Sequence, residues 1–174
     1  GQGYALRNLK MEAALTGDNQ AYGLFGVLKG ATVKNLVLGA ENGDTGSFKV
    51  SGNGVTSTGV IAGASVESTI EECTSYLPME CLGNGASNKL MTMGLVGFVY
   101  GAGTSDETVT KLIGLKNYGA MKAVPGAASA NGFTSTQAGC IAGVSNTSRT
   151  STFRNLITRC ANYGDMTVST GRAS

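Results

Sequence analysis

A glycine-centred phrase recurs four times along the chain, and this repeat constrains the fold more than any other feature. Each copy has small or apolar residues followed by Gly, and the copies are GLFG at 23–26, VIAG at 60–63, GLVG at 94–97 and CIAG at 140–143. The closing glycines are 37, 34 and 46 residues apart. Repeats of this length predict an array in which each copy buries its apolar side chains against its neighbours.

A second segment follows each glycine and begins with Thr and an apolar residue. The four copies are TVKNLVL at 32–38, TIEECTS at 69–75, TVTKLIG at 108–114 and TFRNLIT at 152–158. Stacking the copies predicts three columns of aligned side chains. The columns are Leu36, Cys73, Leu112 and Leu156, facing inward; Val33, Ile70, Val109 and Phe153; and Phe25, Ala62, Val96 and Ala142.

Glycine at the end of the first strand of each copy predicts a corner. Gly26, Gly63, Gly97 and Gly143 hold this position. A positive φ or a close approach of two backbones excludes a Cβ at such a place.

A turn forms the third element of a copy and leads into a short strand-like run. The turns are AENGD at 40–44, KNYGA at 116–120 and ANYGD at 161–165, while the second copy departs with YLPMECLGNG at 76–85. Residues 4–18 match only the second half of a copy. The chain is therefore predicted to be one domain of stacked copies, with boundaries at 1–20 (partial), 21–57, 58–91, 92–135 and 136–174.

Composition supports an all-β fold. The chain has 27 glycines and 2 prolines among 174 residues, and Gly, Ser, Thr and Asn weaken helix interiors. We expect a parallel β-helix, a right-handed β-solenoid of about four to five coils. Uncapped ends of such a stack predict self-association. Because the chain starts partway through a copy, we also expect further repeats or another domain before Gly1.

The phrase YGLFGVLKGATVKNLVL at 22–38 resembles the GLUG repeat of bacterial cell-surface proteins, adhesins and the non-catalytic part of some secreted IgA-cleaving proteases. The resemblance is closest in the first copy and extends over the whole chain. It implies a β-solenoid at the bacterial cell surface or in the secreted fraction. It supplies no catalytic residue and no cofactor.

Charge and hydropathy exclude several partner classes. The net charge is +2, only 14% of residues are charged, and Lys and Arg form no cluster. These features argue against nucleic acid and against a polybasic membrane contact. No apolar run approaches 18 residues, so this segment is not expected to insert into a membrane.

The residue inventory argues against catalysis and metal binding. The chain has no histidine and no CxxC motif, which excludes the usual Ser/Cys–His arrangements and makes a zinc site improbable. The cysteines are Cys73, Cys81, Cys140 and Cys160. Pairing of Cys73 with Cys81 and burial of both as free thiols remain alternatives.

Two adjacent acidic pairs are candidates for glycosidic cleavage. Glu71 and Glu72 are predicted to lie on opposite faces of a strand, which does not suit a facing carboxylate pair. Asp106 and Glu107 lie in an inserted loop, where solvated charges are expected. The acidic residues that follow turn glycines are assigned to turn chemistry rather than to calcium. They are Asp18, Asp44 and Asp165.

Two equivalent turns carry the candidate binding residues. Tyr118 and Tyr163 each follow an asparagine, Asn117 and Asn162. Stacked copies would place two rings and two amides along one edge, where rings pack on sugar faces and amides bond hydroxyls. Alternatively, the tyrosines cover the end of the core and Asn-Tyr-Gly only builds the turn.

Three function hypotheses follow. The first is a non-enzymatic cell-surface adhesin or stalk segment that binds a host or microbial glycan or a surface protein. The second is a carbohydrate-active enzyme or its accessory carbohydrate-binding module. The third is a purely structural spacer, which predicts no ligand.

Overall fold

The computed structural model describes residues 4–42, 46–52, 54–83, 89–101, 108–124, 134–147 and 155–169. Within these ranges the regular secondary structure consists of β-strands that pair in parallel into four sheets. The all-β prediction with parallel strands is therefore confirmed.

Sheets A and B hold five strands each in the described residues. Sheet A contains β1 (Ala5–Leu6), β6 (Val37–Leu38), β10 (Thr74–Ser75), β14 (Lys116–Asn117) and β19 (Ala161–Asn162). Sheet B contains β2 (Lys10–Leu15), β7 (Ser47–Gly52), β11 (Met79–Gly83), β15 (Met121–Val124) and β20 (Met166–Val168).

Sheets C and D complete the described strands. Sheet C contains β3 (Gln20–Tyr22), β4 (Phe25–Lys29), β8 (Thr56–Val66), β12 (Lys89–Gly101), β16 (Thr134–Ala138) and β17 (Ala142–Thr147). Sheet D contains β5 (Thr32–Lys34), β9 (Thr69–Glu71), β13 (Lys111–Ile113) and β18 (Leu156–Thr158).

The chain visits the sheets in a fixed order, C, D, A, B, and then returns to C. We call one such passage a rung. Rung 1 starts at β3, rung 2 at β8, rung 3 at β12 and rung 4 at β16, while β1 and β2 form a half rung before rung 1. The copy boundaries drawn from the sequence at 57/58, 91/92 and 135/136 fall inside strands of sheet C.

The alignment of rungs confirms one predicted column fully. Ala62 and Val96 are Cα partners. Ala62 also pairs with Phe25, and Val96 also pairs with Ala142. Rung 2 carries one more residue than rung 3 before this column, and the register between β8 and β12 shifts there. Insertion of a residue in one strand is the usual cause of such a bulge.

The column through sheet D was only half right. Val33 and Ile70 are partners as predicted, but the next members are Leu112 and Ile157 rather than Val109 and Phe153. The Lys111 amide donates to the Ser68 carbonyl at 2.8 Å, which sets Lys111 rather than Thr108 opposite Thr69. Phe153 lies outside the described residues.

The column predicted as Leu36, Cys73, Leu112 and Leu156 was wrong in its last two members. The carbonyls of Leu36, Cys73 and Leu115 accept hydrogen bonds of 2.8–2.9 Å from the next rung. The donors are, in the same order, the amides of Thr74, Lys116 and Ala161. These hydrogen bonds and the sheet A register align Leu36, Cys73, Leu115 and Cys160. The shared Thr-apolar pattern misled the alignment because backbone hydrogen bonds, not matching letters, set the register.

The repeated glycines do not turn corners, so that prediction was wrong. Gly63 and Gly97 lie inside β8 and β12, and neither has its backbone in the left-handed region. A Cβ at Gly63 would overlap the backbone of Tyr22, and one at Gly97 would lie 2.5 Å from the Thr58 nitrogen. Close approach of backbones, the other reason given for these glycines, is what requires them.

A true corner lies between sheets D and A. One residue per rung there has a left-handed backbone, and φ is 54° at Asn35, 49° at Glu72, 65° at Gly114 and 55° at Arg159. We call these four residues the corner column. Three of them carry side chains despite the strain of this conformation.

The core is a continuous stack of apolar side chains from successive rungs. Ile70, Leu112 and Leu115 are fully buried, as are Cys73 and Cys81. They belong to one hydrophobic cluster that includes buried side chains from all four sheets.

Candidate functional site

The two predicted Asn-Tyr turns are equivalent in space. Asn117 and Asn162 are Cα partners in sheet A, and the Tyr163 amide donates to the Asn117 carbonyl at 2.7 Å. The tyrosines that follow therefore stand on neighbouring rungs, as the sequence predicted.

A third tyrosine, Tyr76, belongs to the same column and was missed. Ser75 is the Cα partner of Asn117, and the Tyr118 amide donates to the Ser75 carbonyl at 2.8 Å. The segment at 76–85 looked like a departure from the repeat because it lacks the turn glycine. Its spacing to the following strand was the available signal, since Tyr is followed three residues later by Met in rungs 2, 3 and 4.

The three tyrosine rings stack face to face. Ring centroids are 4.8 Å apart for Tyr76 and Tyr118, with an interplanar angle of 13°. They are 4.7 Å apart for Tyr118 and Tyr163, with an angle of 14°. We call Tyr76, Tyr118 and Tyr163 the tyrosine ladder.

Stacking decides which part of each ring can meet a ligand. Both faces of Tyr118 are covered by its neighbours, yet the residue is 41% exposed. Its exposed part is therefore the ring edge and hydroxyl. Tyr163 ends the ladder in the described residues and is 61% exposed. A sugar face can stack only on a ring face that no tyrosine covers.

The asparagines do not present two amides to solvent. Asn117 is fully buried, and its Nδ2 donates to the Gly119 carbonyl at 2.8 Å and to Asn162 Oδ1 at 2.7 Å. Asn162 is exposed, and its Nδ2 donates to the Gly164 carbonyl at 2.6 Å. These bonds hold the turn and link adjacent rungs, which is the turn-building role given as the alternative.

Rung 1 lacks a tyrosine at this position. Leu38 is the Cα partner of Ser75, so the next residue, Gly39, holds the place that Tyr76 has in rung 2. The equivalent of the Asn-Tyr turn is thus 37–41, and equating AENGD at 40–44 with it was wrong. The chain inserts residues after Gly39 before β7 begins at Ser47.

A cleft of about 260 Å³ opens beside Tyr76. It lies between the segment after Gly39 in rung 1 and the turn of rung 2. Its lining is Ala40, Glu41, Gly46, Tyr76, Leu77, Pro78 and Tyr118. Desolvation, followed by the charge of Glu41, raises the pKa of Tyr76.

The acidic pair in rung 2 is engaged by cations. Glu71 forms an ion pair with Lys34 at 2.6 Å, and the hydrogen bond and charge of Lys34 lower the pKa of Glu71. Glu72 forms an ion pair with Arg159 at 3.1 Å. The alternation of side chains along a strand does not apply at Glu72, because its φ is positive. The Glu71 carboxylate contacts rung 1 and the Glu72 carboxylate contacts rung 4. Asp106 and Glu107 lie outside the described residues.

Among the other acidic candidates, the Asp18 carboxylate has a structural partner, since its Oδ1 accepts from the Val55 amide at 2.9 Å. At Asp165 it is the backbone carbonyl that accepts, from the Met121 amide at 2.8 Å. Asp44 lies outside the described residues. In the described part of the chain, no group of three His, Cys, Asp or Glu residues could hold a metal ion.

All four cysteines are free thiols in the structure. Burial raises the pKa of Cys81 to about 12, although Thr58 Oγ1 lies 3.3 Å from its sulfur. Burial also raises the pKa of Cys73 and of Cys140. Protonated thiols of this kind are poor nucleophiles and poor metal ligands.

No helix in the described ranges is long and apolar enough to cross a membrane. Comparison of the chain with protein-family models, with curated proteins and with solved structures gave no significant match. The residues and their geometry therefore carry the functional argument.

Proposed function

We propose that this chain is a segment of a non-enzymatic bacterial cell-surface protein of the GLUG-repeat type, an adhesin or stalk that binds a host or microbial glycan or a surface protein. The fixed visiting order of four parallel sheets supports closure of each rung into one coil of a β-solenoid. Parallel crossovers are almost always right-handed, which favours a right-handed solenoid. The protein is displayed on the cell or secreted.

The tyrosine ladder carries the proposal. It places the exposed rings of Tyr118 and Tyr163 and the half-buried ring of Tyr76 in a row, with a step of 4.7–4.8 Å between rungs. Each phenol can donate and accept a hydrogen bond, so the row suits a partner with many hydroxyl or carbonyl groups, such as an extended glycan. Amphipathic rings are also enriched at protein interfaces.

Ion pairing of the candidate carboxylates supports the non-enzymatic assignment. Glu71, Glu72 and Glu80 each contact a Lys or Arg on another rung. A glycosidase instead needs two carboxylates that face a shared cleft. The enzyme and accessory-module hypothesis stays the less favoured alternative.

A structural spacer is the second candidate, and the buried amide of Asn117 favours it. Face-to-face stacking and the bond from Asn117 to Asn162 both join rungs without any ligand. Under this hypothesis the ladder serves only to hold the stack together.

The experiment is an array of host and microbial glycans with matrix proteins, probed with the 174-residue chain. The test variant is Tyr118→Ala/Tyr163→Ala, and Tyr4→Ala is the matched control because Tyr4 is 78% exposed and outside the ladder. We expect saturable binding that the control retains and the double variant loses. Binding unchanged in the double variant would remove the ladder as the site. No binding by the folded wild type would favour the spacer.

A further inference from the structure

The outer face of sheet B carries a column of alternating charges. Its members are Glu12 in the half rung, Lys49 in rung 1, Glu80 in rung 2 and Lys122 in rung 3, all on the side of their strands that faces away from the core. Each is the Cα partner of the next, so the four side chains cross the sheet in one line. We call them the charge column. Opposite charges meet within it, since Lys122 Nζ donates to Glu80 Oε1 at 2.9 Å.

A second outward column lies two residues further along the same strands and is divided by size. Ala14 and Ser51 hold the places in the half rung and rung 1, and Leu82 and Val124 hold those in rungs 2 and 3. We call these four residues the size column. A depression of about 390 Å³ lies over its small members, and Leu82, which is 37% exposed, stands at its border.

Both columns are complementary to their own reversal. If the charge column faces a second charge column that runs the opposite way, every Glu meets a Lys, because Glu12 meets Lys122 and Lys49 meets Glu80.

The size column reversed in the same way sets a small side chain against a large one at every place. Ser51 meets Leu82, and Ala14 meets Val124. A twofold axis along the strand direction produces this arrangement, because it inverts the order of the rungs and leaves each column facing itself.

We infer that the outer face of sheet B binds a second copy of this chain face to face, with the two stacks antiparallel. Leu82 of each copy enters the depression over Ser51 of the other, and the two charge columns pair beside it. This contact goes beyond the proposed function and does not use the tyrosine ladder. Chains displayed on two facing cells would meet in this antiparallel sense, and that last step alone rests on the proposed surface location.

The size of the face makes the contact weak and selective. Four strands about 4.8 Å apart, with up to six residues that each rise about 3.3 Å, give a face of roughly 400 Å² per copy. The total of roughly 800 Å² is below the 1,200–2,000 Å² that is typical of stable interfaces. Complementary charge therefore decides which partner binds, and salt should weaken the contact by screening these exposed groups.

The test is sedimentation equilibrium of the 174-residue chain at low and high salt, up to its solubility limit. Lys49→Glu and Glu80→Lys each set like charges against one another twice across the axis. Lys49→Glu/Glu80→Lys exchanges the two charges and restores opposite pairs. Lys29→Glu is the matched control, because Lys29 is exposed on sheet C and the change in net charge is the same as in Lys49→Glu. Circular dichroism checks the fold of each variant.

We expect wild type and Lys29→Glu to form a dimer that weakens as salt rises. Each single variant should weaken self-association about tenfold or more, because juxtaposed like charges are costly. An equimolar mixture of the two single variants should dimerise again, since the two carboxylates of one face the two ammonium groups of the other. The double variant should dimerise alone.

Three results would overturn the inference. The first is a wild type that stays monomeric at both salt concentrations. The second is self-association that both single variants retain, which would place the contact elsewhere, such as at the ends of the stack. The third is a mixture of the single variants that does not dimerise.

The glycan array separates this inference from the proposed function. Tyr118→Ala/Tyr163→Ala should dimerise like wild type, and Glu80→Lys should keep the array binding of wild type. Dimerisation without array binding would support the contact and count against the glycan ligand. Array binding by a chain that stays monomeric would do the reverse.

Discussion

Gly114→Ala is the sharpest test of how the rungs turn between sheets D and A. Gly114 has a φ of 65° and is the one glycine in the corner column. A left-handed backbone costs an L-residue about 1–2 kcal/mol relative to its usual conformation. The alanine variant should lose at least that much stability, because the neighbouring rungs fix the corner geometry.

A second effect arises from the missing side chain. A Cβ at Gly114 would overlap the carboxylate of Glu72, which crosses this rung to reach Arg159. The carboxylate is the flexible end of its side chain, so it would move and break an exposed ion pair worth about 0–1 kcal/mol. The sum predicts that Gly114→Ala lowers the free energy of unfolding by about 1–3 kcal/mol.

Gly30→Ala is the matched control, because Gly30 has a φ of 58° and a Cβ there would meet no atom within 4 Å. Urea denaturation of both variants, each with and without Glu72→Ala, separates the two effects. The excess cost of Gly114→Ala over Gly30→Ala should disappear when Glu72 is absent. Wild-type stability of Gly114→Ala, or an excess that persists without Glu72, would refute this account of the corner.

Three further predictions test the core, the thiols and the surface charges. Leu112→Ala should lower the free energy of unfolding by about 2–5 kcal/mol, as measured by urea denaturation. Ile157→Ala, in the same column, should lower it less because Ile157 is 42% exposed. Equal losses of stability would contradict the revised register. Cys81, with a pKa of about 12, should resist iodoacetamide at pH 8 in the folded chain and react after unfolding, as mass spectrometry would show; rapid labelling of the folded chain would disprove its burial. The hydrogen bond and charge of Lys122 lower the pKa of Glu80. The contribution of this ion pair to stability is therefore present above the pKa of Glu80 in the unfolded chain and is lost as the pH falls through its pKa in the folded chain. Lys122→Ala should raise the folded-state pKa of Glu80 in an NMR titration, and an unchanged pKa would contradict the ion pair.

The sequence predicted the parts of the fold that depend on composition and spacing. Apolar residues at repeated intervals indicated parallel strands and correctly aligned Ala62 with Val96, because the flanking glycines mark the same point of each rung. The alignment failed at Thr108, because the sequence of this copy has extra residues before the strand. Backbone bonding placed Lys111, three residues later, opposite Thr69, and a pattern of letters does not contain that information.

The candidate site was predicted in part for the same reason. Tyr118 and Tyr163 could be paired because their turns have nearly the same letters, whereas Tyr76 precedes Leu-Pro and was overlooked. The burial of Asn117 was also not predictable from its turn-forming character. An asparagine in such a turn can face solvent or bond inward, and the choice depends on the amide of Asn162 one rung away.

Two positions without a side chain show how this stack closes its gaps. At Gly114, the long flexible side chain of Glu72 spans the vacant place and pairs with Arg159, so the vacancy is filled from within. At Gly39, the residues that follow, Ala40 and Glu41, line a cleft beside Tyr76, and Tyr76 is half-buried whereas Tyr118, stacked on both sides, is exposed. Side chains from other positions therefore shield the column where its own side chain is missing. A glycine in one of these columns is thus not by itself a place that a ligand can fill.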